Sequence, residues 1–146
     1  IYCLVVGEGE LRVELEQLAA DLGVAKAICF TGFQSLPLAW VQAMDVCVLC
    51  SSQEGLPRVV LEAMLAGKPV VGSDVNGTRE LVVHEKTGLL YGYGDVPALT
   101  AALQRLAADP LARKAMGEAG RRRVEASFSI EAYVQGVSDI LAEVLE

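Results

Sequence analysis

The stretch Val46-Cys-Val-Leu-Cys-Ser-Ser-Gln-Glu-Gly-Leu-Pro-Arg-Val-Val-Leu-Glu-Ala-Met-Leu-Ala-Gly-Lys-Pro-Val-Val-Gly72 decides the fold. Val46 to Cys50 is a short apolar run of strand type, and Ser51 to Pro57 carries the Ser, Gly and Pro of a loop. Pro57 suits the first turn of a helix, Val60, Leu61, Met64 and Leu65 then recur at helical spacing, and Gly67 is placed to end it. Pro69 to Gly72 is a second apolar strand. Strand, crossover helix and strand make a βαβ unit, and such a unit implies a parallel sheet.

The same alternation extends in both directions. Upstream, Ile1 to Val6 reads as a strand and Gly7-Glu-Gly-Glu10 as a turn. A helix follows on Leu11, Leu15, Leu18, Ala19 and Leu22 up to Gly23, then a strand over Ala27 to Phe30 and a short helix over Leu36 to Ala43. Downstream, Thr78 to Val83 reads as a short helix and Gly88 to Tyr91 as a last strand. Asp95, Asp109 and Ser129 are placed to cap three closing helices. The last of these carries an apolar stripe of Ile130, Tyr133, Val134, Val137, Ile140, Leu141, Val144 and Leu145. The fold class predicted is α/β, a Rossmann-like parallel sheet with helices on both faces. An apolar strand at the very first residue is an unusual start for a domain, and residues 1–146 read as one domain or a piece of one.

The chain has 146 residues, a net charge of −7 and 53% hydrophobic residues, a composition that excludes a disordered segment, a collagen-like repeat and a coiled coil. Its acidity argues against holding a nucleic acid backbone by counterion release. No run is apolar enough to span a membrane and no secretory leader is evident, so a soluble, cytoplasmic chain is expected. Cys3, Cys29, Cys47 and Cys50 lie in or beside apolar runs and are expected to be buried small hydrophobes. Cys47 and Cys50 spell a redox tetrad, but positions i and i+3 of a strand face opposite ways. The single histidine, His84, has no ligand cluster around it, so no metal site is expected.

Chemistry concentrates in the segment first quoted. It places the carboxylate of Glu54 in the loop leaving a parallel strand, then a helix start, then a second carboxylate, Glu62, inside that helix. Ligands of open α/β sheets bind in the crevice beyond the carboxyl ends of the strands. The first amides of the helix, at Arg58, Val59 and Val60, are expected to have no intrahelical acceptor and to sit at the positive end of the dipole, which suits a phosphate. Ionised carboxylates are acceptors only and suit vicinal sugar hydroxyls. Two of them flanking a phosphate cradle read as a sugar on each side of a diphosphate, that is, a nucleotide sugar.

Competing features are weaker. Gly7-Glu-Gly-Glu-Leu-Arg12 approaches a dinucleotide fingerprint, but Arg12 stands where the third glycine is needed. Arg121, Arg122 and Arg123 sweep roughly 200° of a helix and are expected to form a solvated face. Trp40, Tyr91 and Tyr93 are expected to be packing residues, and His84 a surface side chain near a turn.

The Glu54 to Glu62 segment, its Gly67-Lys-Pro-Val-Val71 continuation, Gly77-Thr-Arg-Glu80-Leu-Val and Thr87-Gly-Leu-Leu-Tyr91 closely resemble the C-terminal, donor-binding domain of retaining GT-B glycosyltransferases of the family-4 type. The likeness extends to Val5-Val-Gly-Glu-Gly-Glu10, Phe30-Thr-Gly-Phe33 and Ala43-Met-Asp-Val-Cys-Val48. The resemblance implies that Glu54 is the catalytic carboxylate contacting the transferred hexose, and that the backbone of Gly55, Leu56, Pro57, Arg58 and Val59 holds hexose and diphosphate. It implies that Glu62 binds the ribose, that Gly32, Phe33 and Gln34 line the base, and that Gly7 and Gly9 let the chain pass close to the ligand or a neighbouring domain. It further implies transfer with retained anomeric configuration, in carbohydrate biosynthesis, with no cofactor and no metal.

Two features of that family are missing: an Arg and a Lys that neutralise the diphosphate, from a strand-helix unit preceding Ile1, and the N-terminal domain that binds a sugar, lipid or other small acceptor. The fragment alone is therefore expected to be inactive and to self-associate through the stripe of its last helix. The full enzyme is compatible with peripheral contact at the cytoplasmic membrane face. Two alternatives stay open: a non-catalytic nucleotide-sugar-binding module, and an epimerase or phosphorylase on the same scaffold.

Overall fold

The structure is a computed structural model and describes residues 1–145. The chain divides into two compact units, Ile1–Met44 and Asp45–Glu146. The first contains β1 (Cys3–Val6), α1 (Arg12–Asp21), one 3-10 turn (Ala25–Ala27), β2 (Ile28–Gly32) and α2 (Pro37–Ala43). β1 and β2 pair in parallel, Cys3 opposite Ile28 and Val5 opposite Phe30, and the register then shifts so that Val6 meets Gly32. Only Ala19 and Val41 among its hydrophobic side chains are buried. Between α1 and the strands lies an open apolar groove of about 190 Å³ whose lining includes Val5, Leu15, Leu18, Leu22 and Phe30.

The second unit contains β3 (Cys47–Leu49), α3 (Arg58–Leu65), β4 (Val70–Ser73), α4 (Asn76–Leu81), β5 (Gly88–Tyr91), α5 (Val96–Ala108), α6 (Pro110–Ser127) and α7 (Ile130–Leu145). Its sheet has the order β3-β4-β5, all parallel, with Val48 opposite Val71 and Val71 opposite Leu89. The central strand β4 is buried along all four residues, as its unbroken apolar sequence requires. Val71, Leu89, Tyr91, Leu106 and Met116 form one core cluster. α3 packs on α6, where a Cβ on Gly117 would lie 1.9 Å from the Gly67 carbonyl oxygen, so that only glycine permits this approach.

Local signals are well obeyed. The side chains of Asp95, Asp109 and Ser129 accept hydrogen bonds from the amides of Ala98, Ala112 and Ala132 at 2.9, 2.9 and 3.1 Å and so cap α5, α6 and α7. α1 and α3 both end in left-handed glycines, Gly23 and Gly67, whose amides bond back to Ala20 and Met64 while the next amides reach Ala19 and Ala63.

The parallel α/β class holds, with the strands in two sheets, β1-β2 and β3-β4-β5. Several other expectations need correction. Only Cys47 is buried; Cys3, Cys29 and Cys50 are exposed, because the two-stranded sheet is thinly covered and Cys50 lies past the end of β3. Tyr93 is exposed. Arg123 is not on a solvated face: its guanidinium donates to the carbonyls of Leu81 and Glu80 at 2.9 and 2.8 Å and lies 5.6 Å from the centre of the Phe128 ring. His84 is exposed, but its Nδ1 accepts the Leu90 amide at 2.9 Å and helps to hold β5. The α7 stripe is exposed along its whole length. Among the described residues, no helix is long and apolar enough to cross a membrane.

Candidate functional site

Within the second unit the chain leaves β3, crosses Ser51 to Pro57 as a loop and enters α3 at Arg58. Pro57 occupies the N-cap rather than the first helical position, and its carbonyl accepts the amides of Val60 and Leu61 at 3.0 and 3.4 Å. The Val60 amide is therefore spent, contrary to expectation, and those of Arg58 and Val59 are the ones the helix leaves without an acceptor. No side chain caps this end. A helix of eight residues with an uncapped N-terminus presents donors and a positive dipole end to an anion.

The two carboxylates differ in setting. Glu54 is half-buried in the loop. Glu62 is half-buried in the second turn of α3, with the largely exposed Arg58 guanidinium 4.0 Å away. Glu62 also lies close enough to β3 to act on it: burial pushes the Cys47 thiol up to about 11, and the Glu62 charge adds to the rise. Cys47 is thus a neutral, shielded group and no nucleophile. Pro57 is buried, whereas Gly55, Leu56, Arg58 and Val59 are exposed around it.

What fixes this loop was not foreseen from sequence. The Gly77 amide, in the first turn of α4, donates to the Glu54 carbonyl at 3.1 Å, and a Cβ on Gly77 would lie 2.1 Å from the Gly55 carbonyl oxygen. Any side chain at Gly77 would push the Glu54-Gly55 backbone away. At the start of the loop the buried Ser73 hydroxyl donates to the Ser51 carbonyl at 2.6 Å. The available signal was Asn76-Gly77 shortly after an apolar strand, a pair that breaks regular structure without saying what rests on it.

The remaining candidates lie in the first unit. Gly7 and Gly32 meet there: the Gly7 amide donates to the Gly32 carbonyl at 3.0 Å and both have left-handed φ, 124° and 69°. Gly9 has open space around its Cα. Phe33 is exposed, while the Gln34 side chain is engaged, donating to the Thr31 carbonyl at 2.9 Å and accepting from the Trp40 indole at 3.0 Å. Among the described residues, no three His, Cys, Asp or Glu gather into a metal-ligand set.

The chain is 34% identical over 139 residues to the lipopolysaccharide core biosynthesis glycosyltransferase LpsD of Rhizobium meliloti, covering 95% of this chain and 40% of that protein. It is 31% identical over 144 residues to the alpha-D-kanosaminyltransferase of Streptomyces kanamyceticus, covering 97% and 37%. Among solved structures, Anabaena HepE in complex with UDP superposes with a TM-score of 0.90 at 26% identity, over 98% of this chain and 41% of that one. The sucrose-phosphate synthase of Thermosynechococcus elongatus superposes with a TM-score of 0.84 at 32% identity, over 97% and 38%. The chain thus spans about 40% of the length of such relatives, and its fold is that of GT-B glycosyltransferases. Residues 1–123 match the model of the family described as glycosyl transferases group 1, and the chain belongs to that family.

Proposed function

We propose that this chain is the donor-binding part of a retaining, family-4-type glycosyltransferase that takes a nucleoside-diphosphate sugar. The observation that carries the reading is the uncapped start of α3 between two half-buried carboxylates, Glu54 and Glu62, on one packed unit. The free amides of Arg58 and Val59, with the exposed Arg58 guanidinium, take the diphosphate. Glu62 accepts from the ribose hydroxyls, releasing its loose contact with Arg58. Glu54, held by its own backbone, accepts from the hydroxyls of the transferred sugar and orients the anomeric carbon. Gly55, Leu56 and Pro57 shape the floor between them.

On this reading the leaving diphosphate is stabilised by fixed amides and a positive helix end, and no metal takes part. The acceptor attacks from the face the diphosphate leaves, which retains configuration, and comes from sequence outside this chain. In the first unit, taken by itself, the backbone of Gly32, Phe33 and Gln34 would line a base, and Gly7 and Gly9 let the chain pass close to a ligand or a neighbouring domain. Solved relatives in complex with UDP and with UDP-glucose support the choice of ligand. The enzyme acts on the cytoplasmic side, with peripheral contact at the membrane face, on a sugar, lipid or other small acceptor.

Calorimetric titration of the chain with UDP, GDP and ADP tests the proposal. Heat is expected with one of the three, and Glu62→Ala should weaken that binding about 10- to 100-fold, the worth of hydrogen bonds to a charged acceptor. No heat with any of the three would overturn it.

A further inference from the structure

We propose that Ser73 is a positioning residue for Glu54, acting through the backbone of the loop after β3; the inference rests on the nucleotide-sugar reading of that loop. β4 runs one residue farther along β5 than along β3: Ser73 pairs with Tyr91, whereas the pairing with β3 ends at Leu49 opposite Gly72. Beyond Leu49 the chain has no ladder bond to β4, and its next carbonyls would be free to move. The Ser73 hydroxyl replaces the lost bond, donating to the Ser51 carbonyl at 2.6 Å from a side chain with 0% exposure.

Three residues beyond Ser51, the Glu54 carbonyl accepts the Gly77 amide at 3.1 Å. Ser52 and Gln53 between these two points are exposed. The first half of the loop, Ser51 to Glu54, is therefore held at both ends by one short stretch, the end of β4 and the first turn of α4. That stretch is itself close-packed, since a Cβ on Gly72 would come within 2.6 Å of the Thr78 methyl group. A rigid base with two contact points fixes where the Glu54 Cα stands, and so where its carboxylate can reach. Removing the Ser73 hydroxyl takes away one of these two contacts and leaves a carbonyl without its donor.

A merely structural serine and a positioning serine differ in what they move. The chain and its Ser73→Ala and Ser73→Thr variants are titrated with UDP and UDP-glucose, and with GDP and GDP-mannose. Amide hydrogen exchange at Gly77 is followed without ligand. Ser73→Ala should speed Gly77 exchange and lower affinity for the sugar nucleotide roughly tenfold while affinity for the parent diphosphate stays within about twofold, and Ser73→Thr, which keeps the hydroxyl, should restore both. In a Glu54→Ala background Ser73→Ala should cost no further sugar-dependent affinity. Unchanged exchange, or parallel weakening of diphosphate and sugar nucleotide, overturns the proposal. Faster exchange with an intact sugar preference also overturns it. A wild-type chain that binds no nucleotide or sugar nucleotide brings down the nucleotide-sugar reading itself, a result the Gly77 exchange rates do not depend on.

Discussion

In the first unit, β1 and β2 carry α1 with only Ala19 and Val41 shielded among the hydrophobic side chains, whereas in the second β4 is shielded throughout and Val60, Ala63, Met64, Leu81 and Leu106 have 0% exposure. Both units are built from strand, turn and helix in the same order. The difference is one of layers: α1 covers two strands by itself, while the second unit packs α3 against α6 and α5 and α6 against its sheet. A helix contributes burial only where a second element closes over what it leaves open. The carboxylates Glu54 and Glu62 therefore stand on the unit whose core can hold a loop in place.

The largest test of that contrast is a pair of truncations. Leu106→Ala, at 0% exposure in the second unit, should cost about 3 kcal/mol, the transfer term plus an unfilled cavity. Leu18→Ala, 52% exposed on α1, should cost less than about 1 kcal/mol. Guanidinium unfolding monitored by circular dichroism measures both. Equal losses would mean that the apolar face of α1 is covered in solution, as self-association would do.

The cysteines sharpen the same comparison through pH. Cys29 in β2 is exposed, whereas burial, helped by the Glu62 charge, pushes the Cys47 thiol in β3 up to about 11. A thiol whose folded pKa is raised stabilises the fold fully below its unfolded value, near 8.5, and this contribution is lost as pH rises through the folded value. The wild-type chain should thus lose about 2 kcal/mol between pH 8 and pH 11 that Cys47→Ala does not lose. Thermal unfolding of the two proteins across that window measures the difference. Parallel curves would mean that the β3 layer is open to water, like that of β2.

What was legible in the sequence was local. Asp95, Asp109 and Ser129 cap their helices because the donor each needs lies three residues on, at Ala98, Ala112 and Ala132. Glu54 and Glu62 could be placed on either side of a helix start because strand, loop and helix are contiguous. The free amides were misjudged by one residue, since Pro57 lies at the N-cap and its carbonyl takes Val60. The contacts that fix the loop join Ser51 to Ser73 and Glu54 to Gly77, across a helix and a strand, and no spacing rule predicts which carbonyl a distant hydroxyl or amide will find. Burial of the cysteines failed for a related reason: an apolar run marks a strand without saying how many layers cover it.

The smallest effect compares two arginines that do the same job in the two units. Arg123 donates to two backbone carbonyls of α4, at 2.8 and 2.9 Å, with its guanidinium 5.6 Å from the centre of the Phe128 ring, while Arg12 reaches one carbonyl, that of Phe30, at 3.3 Å and otherwise pairs with Glu16 on its own helix. The Arg123 pair is made to the last carbonyls of α4, which the helix itself cannot satisfy, and the planar fork fits both at once. Arg123→Ala should therefore cost about 1 to 2 kcal/mol, and Arg123→Lys should recover little of it, because an ammonium is a point donor. Arg12→Ala should stay within about 0.5 kcal/mol, as exposed i,i+4 pairs do. Denaturant titration of the three variants measures this. Because α4 also carries Gly77 and with it the Glu54 carbonyl, Arg123→Ala should speed amide exchange at Gly77, whereas Arg12→Ala should leave it unchanged. An Arg123→Ala chain with wild-type exchange there would show that the first turn of α4 holds the loop without help from its last.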